Sequence, residues 1–201
     1  MPTFPRLHLP NRNPLPAASP VSLRRAQPAD AALVVGWRSE ASARRYQPLR
    51  PSSIDDVRSL FAAQANRTVG PRLAGDIYWI VEAGDTAVGR VSLYGINREH
   101  GRGEVSCLIG ERYQGRGYGT AALRALAGCA LTSDGADLWR IEAAVAVEHV
   151  ASRRMVERVG FQCEGIARSY WMIDDEWLDV ARYALLRPEW QAIGSIASNH
   201  G

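Results

Sequence analysis

Lysine is absent from all 201 residues, and the 24 basic side chains are all arginine. A P-loop ends on Gly-Lys-Ser/Thr and a pyridoxal enzyme holds its cofactor as a lysine Schiff base, so this chain has the residues for neither. Cysteine is scarce. The three, Cys107, Cys129 and Cys163, are odd in number, form no Cys-x-x-Cys pair and lie in apolar contexts. They read as small buried hydrophobes in a reducing compartment. The four histidines, at 8, 100, 149 and 200, are far apart in sequence and show no His-x-x-x-His spacing, so no metal site is expected. There is no apolar run of ~18 residues and no charged-apolar-small leader, so the expectation is a soluble, cytoplasmic protein without a membrane partner. Charge of one sign is also lacking. The formal net charge is +3, with arginines scattered along the chain, and no basic patch points to nucleic acid.

What is present suffices for one core: 46% of the residues are hydrophobic, and length favours a single folded unit with at most an appended tail. Residues 1–20 hold six prolines and little periodicity, and read as an extended or disordered lead-in. A strand is expected at 21–25. Pro28 and Asp30 then start a helix with Leu33, Val34 and Trp37 on one face. Ser52 or Ser53, followed three residues later by Asp55 or Asp56, resembles the cap of a helix running to about 66. Strands at 76–83 and 86–94 are joined by Gly84-Asp85 in a hairpin, and a third strand spans 104–110. After a helix beginning near Gly117 come a strand at 138–147, a helix at 150–159 stopped by Gly160, and strands at 161–173 and 177–186 across an Asp174-Asp175 turn. No internal repeat or second domain is evident.

The chemistry points to Gln114-Gly115-Arg116-Gly117-Tyr118-Gly119-Thr120, which lies between the apolar strand and the alanine-rich helix. Alternating glycines at a helix mouth expose backbone N–H groups where the helix adds positive potential, and such a turn binds phosphate. A dinucleotide fingerprint starting at Gly115 needs its third glycine at position 120, which is threonine, so that register fails. The pattern that fits is Gln-x-x-Gly-x-Gly.

On this pattern the chain resembles the GNAT superfamily of N-acetyltransferases. The longer string from Gly103 to Gln114, then Arg140 to Val145, Ser152 and the Gly160-Phe161 pair, is similar to the branch acetylating ribosomal-protein N-termini (RimJ/RimL-like). The resemblance implies an α/β fold. In this GNAT acyl-CoA N-acyltransferase fold a mixed, mostly antiparallel seven-stranded sheet, splayed at its centre and flanked by about four helices, would occupy residues 21–187. Residues 188–201 would be a C-terminal tail. It further implies acetyl-CoA as cosubstrate, with no metal.

Several site residues follow from the resemblance. Backbone groups of Leu108, Ile109 and Gly110 would hold the pantetheine arm where the sheet opens, and an N–H there would stabilise an oxyanion. Gln114, Gly115, Arg116, Gly117, Tyr118, Gly119 and Thr120 would receive the pyrophosphate, although Arg116 fits a plain surface position equally well. Glu104 is the candidate base, with a salt-bridged strand end as the structural alternative. Two positions depart from the family pattern. His149 stands where an asparagine often contacts pantetheine, and Val156 stands where many members carry an acid tyrosine. Ser152 would protonate the departing thiolate or merely cap a helix, and His149 would serve as donor or acid. The expected partners are acetyl-CoA and an amine acceptor, either a peptide N-terminus or a small amine such as a polyamine or antibiotic. A non-catalytic acyl-CoA-binding module is the competing class. Trp37, Arg44, Arg45, Tyr46, Tyr170, Trp171 and Trp177 flank the expected acceptor groove, where they fit acceptor, core or homodimer contacts alike.

Overall fold

The computed structural model describes residues 21–48 and 52–198, with side chains to residue 193; the proline-rich segment 1–20 lies outside the described residues. The chain opens with β1 (Ser22–Arg25), followed by a 3-10 turn at Pro28–Asp30 that runs into α1 (Ala31–Ser39). Glu40 is extended and breaks this helix, so α2 (Ala41–Tyr46) forms a separate element that the sequence did not announce. Of the alternative caps for α3 (Ile54–Ala63), Ser53 and Asp56 are the pair used: Asp56 N donates to Ser53 Oγ at 3.1 Å, and Ser53 N donates to Asp56 Oδ2 at 2.8 Å. This reciprocal bonding fixes where the helix starts.

Next come β2 (Ile77–Ala83), β3 (Thr86–Asn97), β4 (Arg102–Ile109), α4 (Tyr118–Leu131), β5 (Arg140–Ala146), α5 (Val150–Val159), β6 (Gln162–Ile173) and β7 (Glu176–Leu186). The chain then continues as α6 (Arg187–Ser198) where a tail was expected. Trp190 and Ile193 of α6 pack against the core. The seven strands form one sheet in the order β1-β2-β3-β4-β5-β7-β6, and every neighbouring pair is antiparallel except β4 and β5. That parallel pair requires a crossover, which α4 supplies. Six α-helices flank the sheet among the described residues, rather than about four.

Each face of the sheet has its own apolar layer. On one, α4 buries Ala122, Leu123, Leu126, Ala127, Ala130 and Leu131, a stripe at helical spacing. Each fully buried leucine contributes roughly 2 kcal/mol. On the other, Val34, Trp37, Val57 and Phe61 of α1 and α3 cover Ile80 and Leu108, while Leu33 of the expected face is exposed. Gln64, 1% exposed, binds this layer to the sheet: its Nε2 donates to Ala26 O at 2.8 Å and its Oε1 accepts from Tyr78 N at 2.7 Å. Of the cysteines, only Cys107 is partly buried. Cys129 and Cys163 are exposed, Cys129 because it lies off the buried stripe of α4 and Cys163 because β6 is an edge strand with most of its residues exposed.

β4 and β5 are joined over three residue pairs, ending at Glu104 opposite Glu142. Two carboxylates side by side would repel. Glu142 is buried and accepts from Arg140 Nε at 2.7 Å and Arg182 Nη2 at 3.3 Å, with Arg102 at 3.8 Å. Replacing Glu142 with alanine leaves these guanidinium groups facing one another. The expected loss is about 2 kcal/mol, discounted because the arginines are partly exposed. A urea midpoint equal to wild type would refute this role.

Candidate active site

Beyond Glu104 the sheet opens. Residues 105–109 of β4 stay bonded to β3, and residues 143–146 of β5 stay bonded to β7, but they no longer pair with each other. Gly110 N donates to Val88 O at 3.0 Å, which sets the alternation along β4: Leu108 turns its backbone groups to Arg90 of β3, while Cys107 and Ile109 turn theirs to the vacated side. The expectation for Leu108 and Gly110 is therefore corrected for these groups, since the polar atoms of Leu108 and the N–H of Gly110 are spent within the sheet. Of the three residues named, Ile109 faces the gap. Its carbonyl accepts from Gln114 Nε2 at 2.9 Å, and the same amide reaches Ser42 Oγ at 3.1 Å. Gln114 thus ties the glycine turn to the end of β4.

Gly115 (φ 75°) and Gly117 (φ 81°) adopt the left-handed conformation that makes this turn, and no side chain caps the start of α4. Its first N–H groups are available to a ligand. They border a cavity of about 330 Å³ whose walls include Ile109, Gly115, Gly117, Tyr118, Gly119 and Thr120. Gly119 contributes differently from its neighbours. It lies inside the helix, and a Cβ there would come within 2.7 Å of Met155 Sδ, so it serves the close packing of α4 on α5. Arg116 points out of the cavity, since the turn that aims the backbone inward turns that side chain to solvent. The cationic side chains in this wall are instead Arg154 and Arg158, from α5. Their four-residue spacing, which puts both on one helix face, was the available signal.

A second cavity of about 290 Å³ adjoins the first, and its walls include Arg38, Tyr78, Arg90, Tyr94, Ser106 and Trp171. His149 and Ser152 border both spaces, together with Cys107, Gln47 and Met155. His149 is the N-cap residue of α5, although its side chain makes no cap bond; the ring stacks on Tyr46 with centroids 4.4 Å apart. Burial lowers its pKa below the ordinary 6.5, so the imidazole is neutral at pH 7. Ser152 lies in the first turn of α5 without being its cap. Val156 is buried and offers no proton. The Cys107 thiol is pushed up to about 12 by burial, which keeps it protonated and non-nucleophilic.

Glu104 lies outside the walls of both cavities. It reaches the second only through Tyr94, whose hydroxyl donates to Glu104 Oε2 at 3.4 Å and is itself pushed up to about 12, first by burial and then by that carboxylate. Among the expected acceptor residues, Tyr46 and Trp171 border this cavity. Trp37 is in the core, Arg44 and Arg45 face a separate surface depression, and Tyr170 and Trp177 are exposed.

The family model described as "Acetyltransferase (GNAT) domain" matches residues 21–162. The chain is 26% identical over 171 residues to p20, an uncharacterized N-acetyltransferase of Bacillus licheniformis, covering 85% of this chain and 94% of that one. It is 32% identical over 103 residues to YdaF of Bacillus subtilis, named for a proposed ribosomal N-acetyltransferase activity, covering 51% and 55% of the two chains. The solved spermidine N-acetyltransferase of Vibrio cholerae in complex with CoA and spermine has the same fold, with a TM-score of 0.75 at 22% identity over 85% of this chain and 98% of that one. By its family match, its opened sheet and its uncapped glycine turn, the chain belongs to the GNAT acetyltransferases and is an acetyl-CoA-dependent N-acetyltransferase.

Proposed function

We propose that the acceptor is the α-amine at a protein N-terminus, that transfer is direct, and that the protein works in a reducing compartment such as the cytoplasm. The observation carrying this is the meeting of two cavities at His149 and Ser152, with the uncapped glycine turn on one side and a small chamber bordered by Arg90 on the other. At about 290 Å³ the chamber is at the low end of ligand sites, which suits one terminal residue rather than a long amine. Arg90 in its wall, which pairs with no carboxylate among the described residues, disfavours a polycation such as spermidine. The name of YdaF, a proposed ribosomal N-acetyltransferase, supports a macromolecular acceptor over a small amine. Three unpaired cysteines support the compartment.

Ile109 N–H, the turn at residues 115–120 and the Arg154 and Arg158 side chains would hold acetyl-CoA, which supplies an activated acetyl thioester. His149, neutral at pH 7, takes the proton that the acceptor ammonium must lose, directly or through water. An α-amine has a pKa of about 8, so this transfer is mild. The neutral amine nitrogen bonds to the acetyl carbon, the carbon–sulfur bond breaks, and the Ser152 hydroxyl gives its proton to the sulfur. That hydroxyl is reprotonated, directly or through water, by the proton that the attacking nitrogen loses. The protonated Cys107 thiol supports direct transfer over an acyl-cysteine route.

The test is thiol release from acetyl-CoA across N-terminal peptides and small amines, with the acetylated product identified by mass. Peptide α-amines are expected to be used, and spermidine poorly. Preferred use of spermidine would sink the acceptor assignment.

A further inference from the structure

We propose that the acceptor carries a carboxylate close to its amine and that Arg90 receives it. This deepens the acetyl-transfer reading and rests on it. Arg90, near the middle of β3, borders the second cavity yet is only 7% exposed. Its Nη1 donates to Ser92 Oγ at 3.2 Å, and its guanidinium lies 5.7 Å from the centre of the Tyr78 ring. Ser92 Oγ is in turn 2.8 Å from Ser106 Oγ, so the fork is held in place. Its Nε is buried with no acceptor, and no carboxylate among the described residues forms an ion pair with Arg90.

The nearby carboxylates are committed elsewhere. Asp76 borders the same cavity but accepts from the Tyr78 hydroxyl at 3.2 Å and from Gly95 N at 3.2 Å, while Glu104 accepts from Tyr94. Arg38 borders the same cavity and adds like charge. A buried cation is costly unless paired, and a guanidinium binds a carboxylate with two parallel bonds. A ligand carboxylate entering the cavity would supply the acceptor that Nε lacks. Its source is either an acidic first side chain of a protein N-terminus or the α-carboxylate of a free amino acid.

The full chain saturated with CoA is titrated calorimetrically with paired acetylated products. N-acetyl-Asp-Ala-amide against N-acetyl-Asn-Ala-amide reports a side-chain carboxylate; N-acetyl-leucine against N-acetyl-leucinamide reports an α-carboxylate. In at least one pair the acid is expected to bind about tenfold tighter or more. In Arg90→Met that preference should collapse to near one. Arg90→Lys, keeping charge without the fork, should retain part of it. Replacing a buried, poorly paired charge with an apolar side chain of similar length should not lower the thermal midpoint of the ligand-free protein. Equal binding of acid and amide in both pairs, or an Arg90→Met variant that weakens acids and amides alike, would overturn the proposal. Because these are product complexes, the result decides it whether or not turnover is detected. Failure of thiol release with every amine would count against the acetyl-transfer reading alone.

Discussion

Valine in place of Gly117 is expected to weaken CoA binding by about a hundredfold, the equivalent of losing two hydrogen bonds to a charged group. Gly117 has φ 81° and sits directly before α4. An L-residue there costs about 1–2 kcal/mol in the left-handed region, and β-branching adds to it. The turn relieves this by rotating, which carries the N–H groups of Gly117 and Tyr118 away from the cavity they border. Calorimetry with CoA reads the effect, and the ligand-free melting midpoint shows whether the fold is kept. At saturating acetyl-CoA, kcat should largely survive, because His149 and Ser152 are on α5. Undiminished CoA affinity would remove the glycine turn from the binding site.

Removing the imidazole with His149→Ala should lower kcat by about 10²-fold, the ordinary range for a positioned acid–base group. Ser152→Ala should cost somewhat less, since water can replace a hydroxyl as proton donor. The pH dependence separates the two. Burial lowers the His149 pKa below 6.5, so activity is full above that value and falls as pH drops through the lowered pKa. Wild type and Ser152→Ala should share this acid limb, while His149→Ala should lack it. The stability consequence has the same sign. The unfolded chain binds the proton more readily than the folded one, so the His149 contribution is fully present above 6.5 and declines as pH falls through the folded value. An acid limb that persists in His149→Ala would assign it to another group. Glu104, linked to the cavity through Tyr94, is then the next to test with Glu104→Gln.

Local chemistry was legible wherever neighbours in sequence are also neighbours in space. Ser53 and Asp56 cap α3 as their three-residue spacing suggested, and Asp174 and Asp175 both take positive φ in the β6–β7 hairpin. The glycine turn sits between strand and helix as read. The break at Glu40 had no proline or glycine to mark it. Trp37, which fitted acceptor, core or dimer contacts alike in sequence, is core, because α1 packs on the sheet over Leu108 and Ile80. The α6 segment, with Trp190 and Ile193 on the core, passed for a tail because Gly194 and polar residues dilute its periodicity.

From its residues alone, this chain declared its family, the order of its strands and the glycine turn at the mouth of α4, since these depend on spacings of a few residues that backbone geometry converts directly into shape. Only the tertiary structure decided that β4 and β5 separate after Glu104, that His149 and Ser152 stand between two cavities, and that Arg90 is buried without a carboxylate. Those facts depend on strands far apart in sequence meeting or failing to meet. A guanidinium on an alternating strand has the same spacing whether its neighbours leave it paired, solvated or facing a ligand.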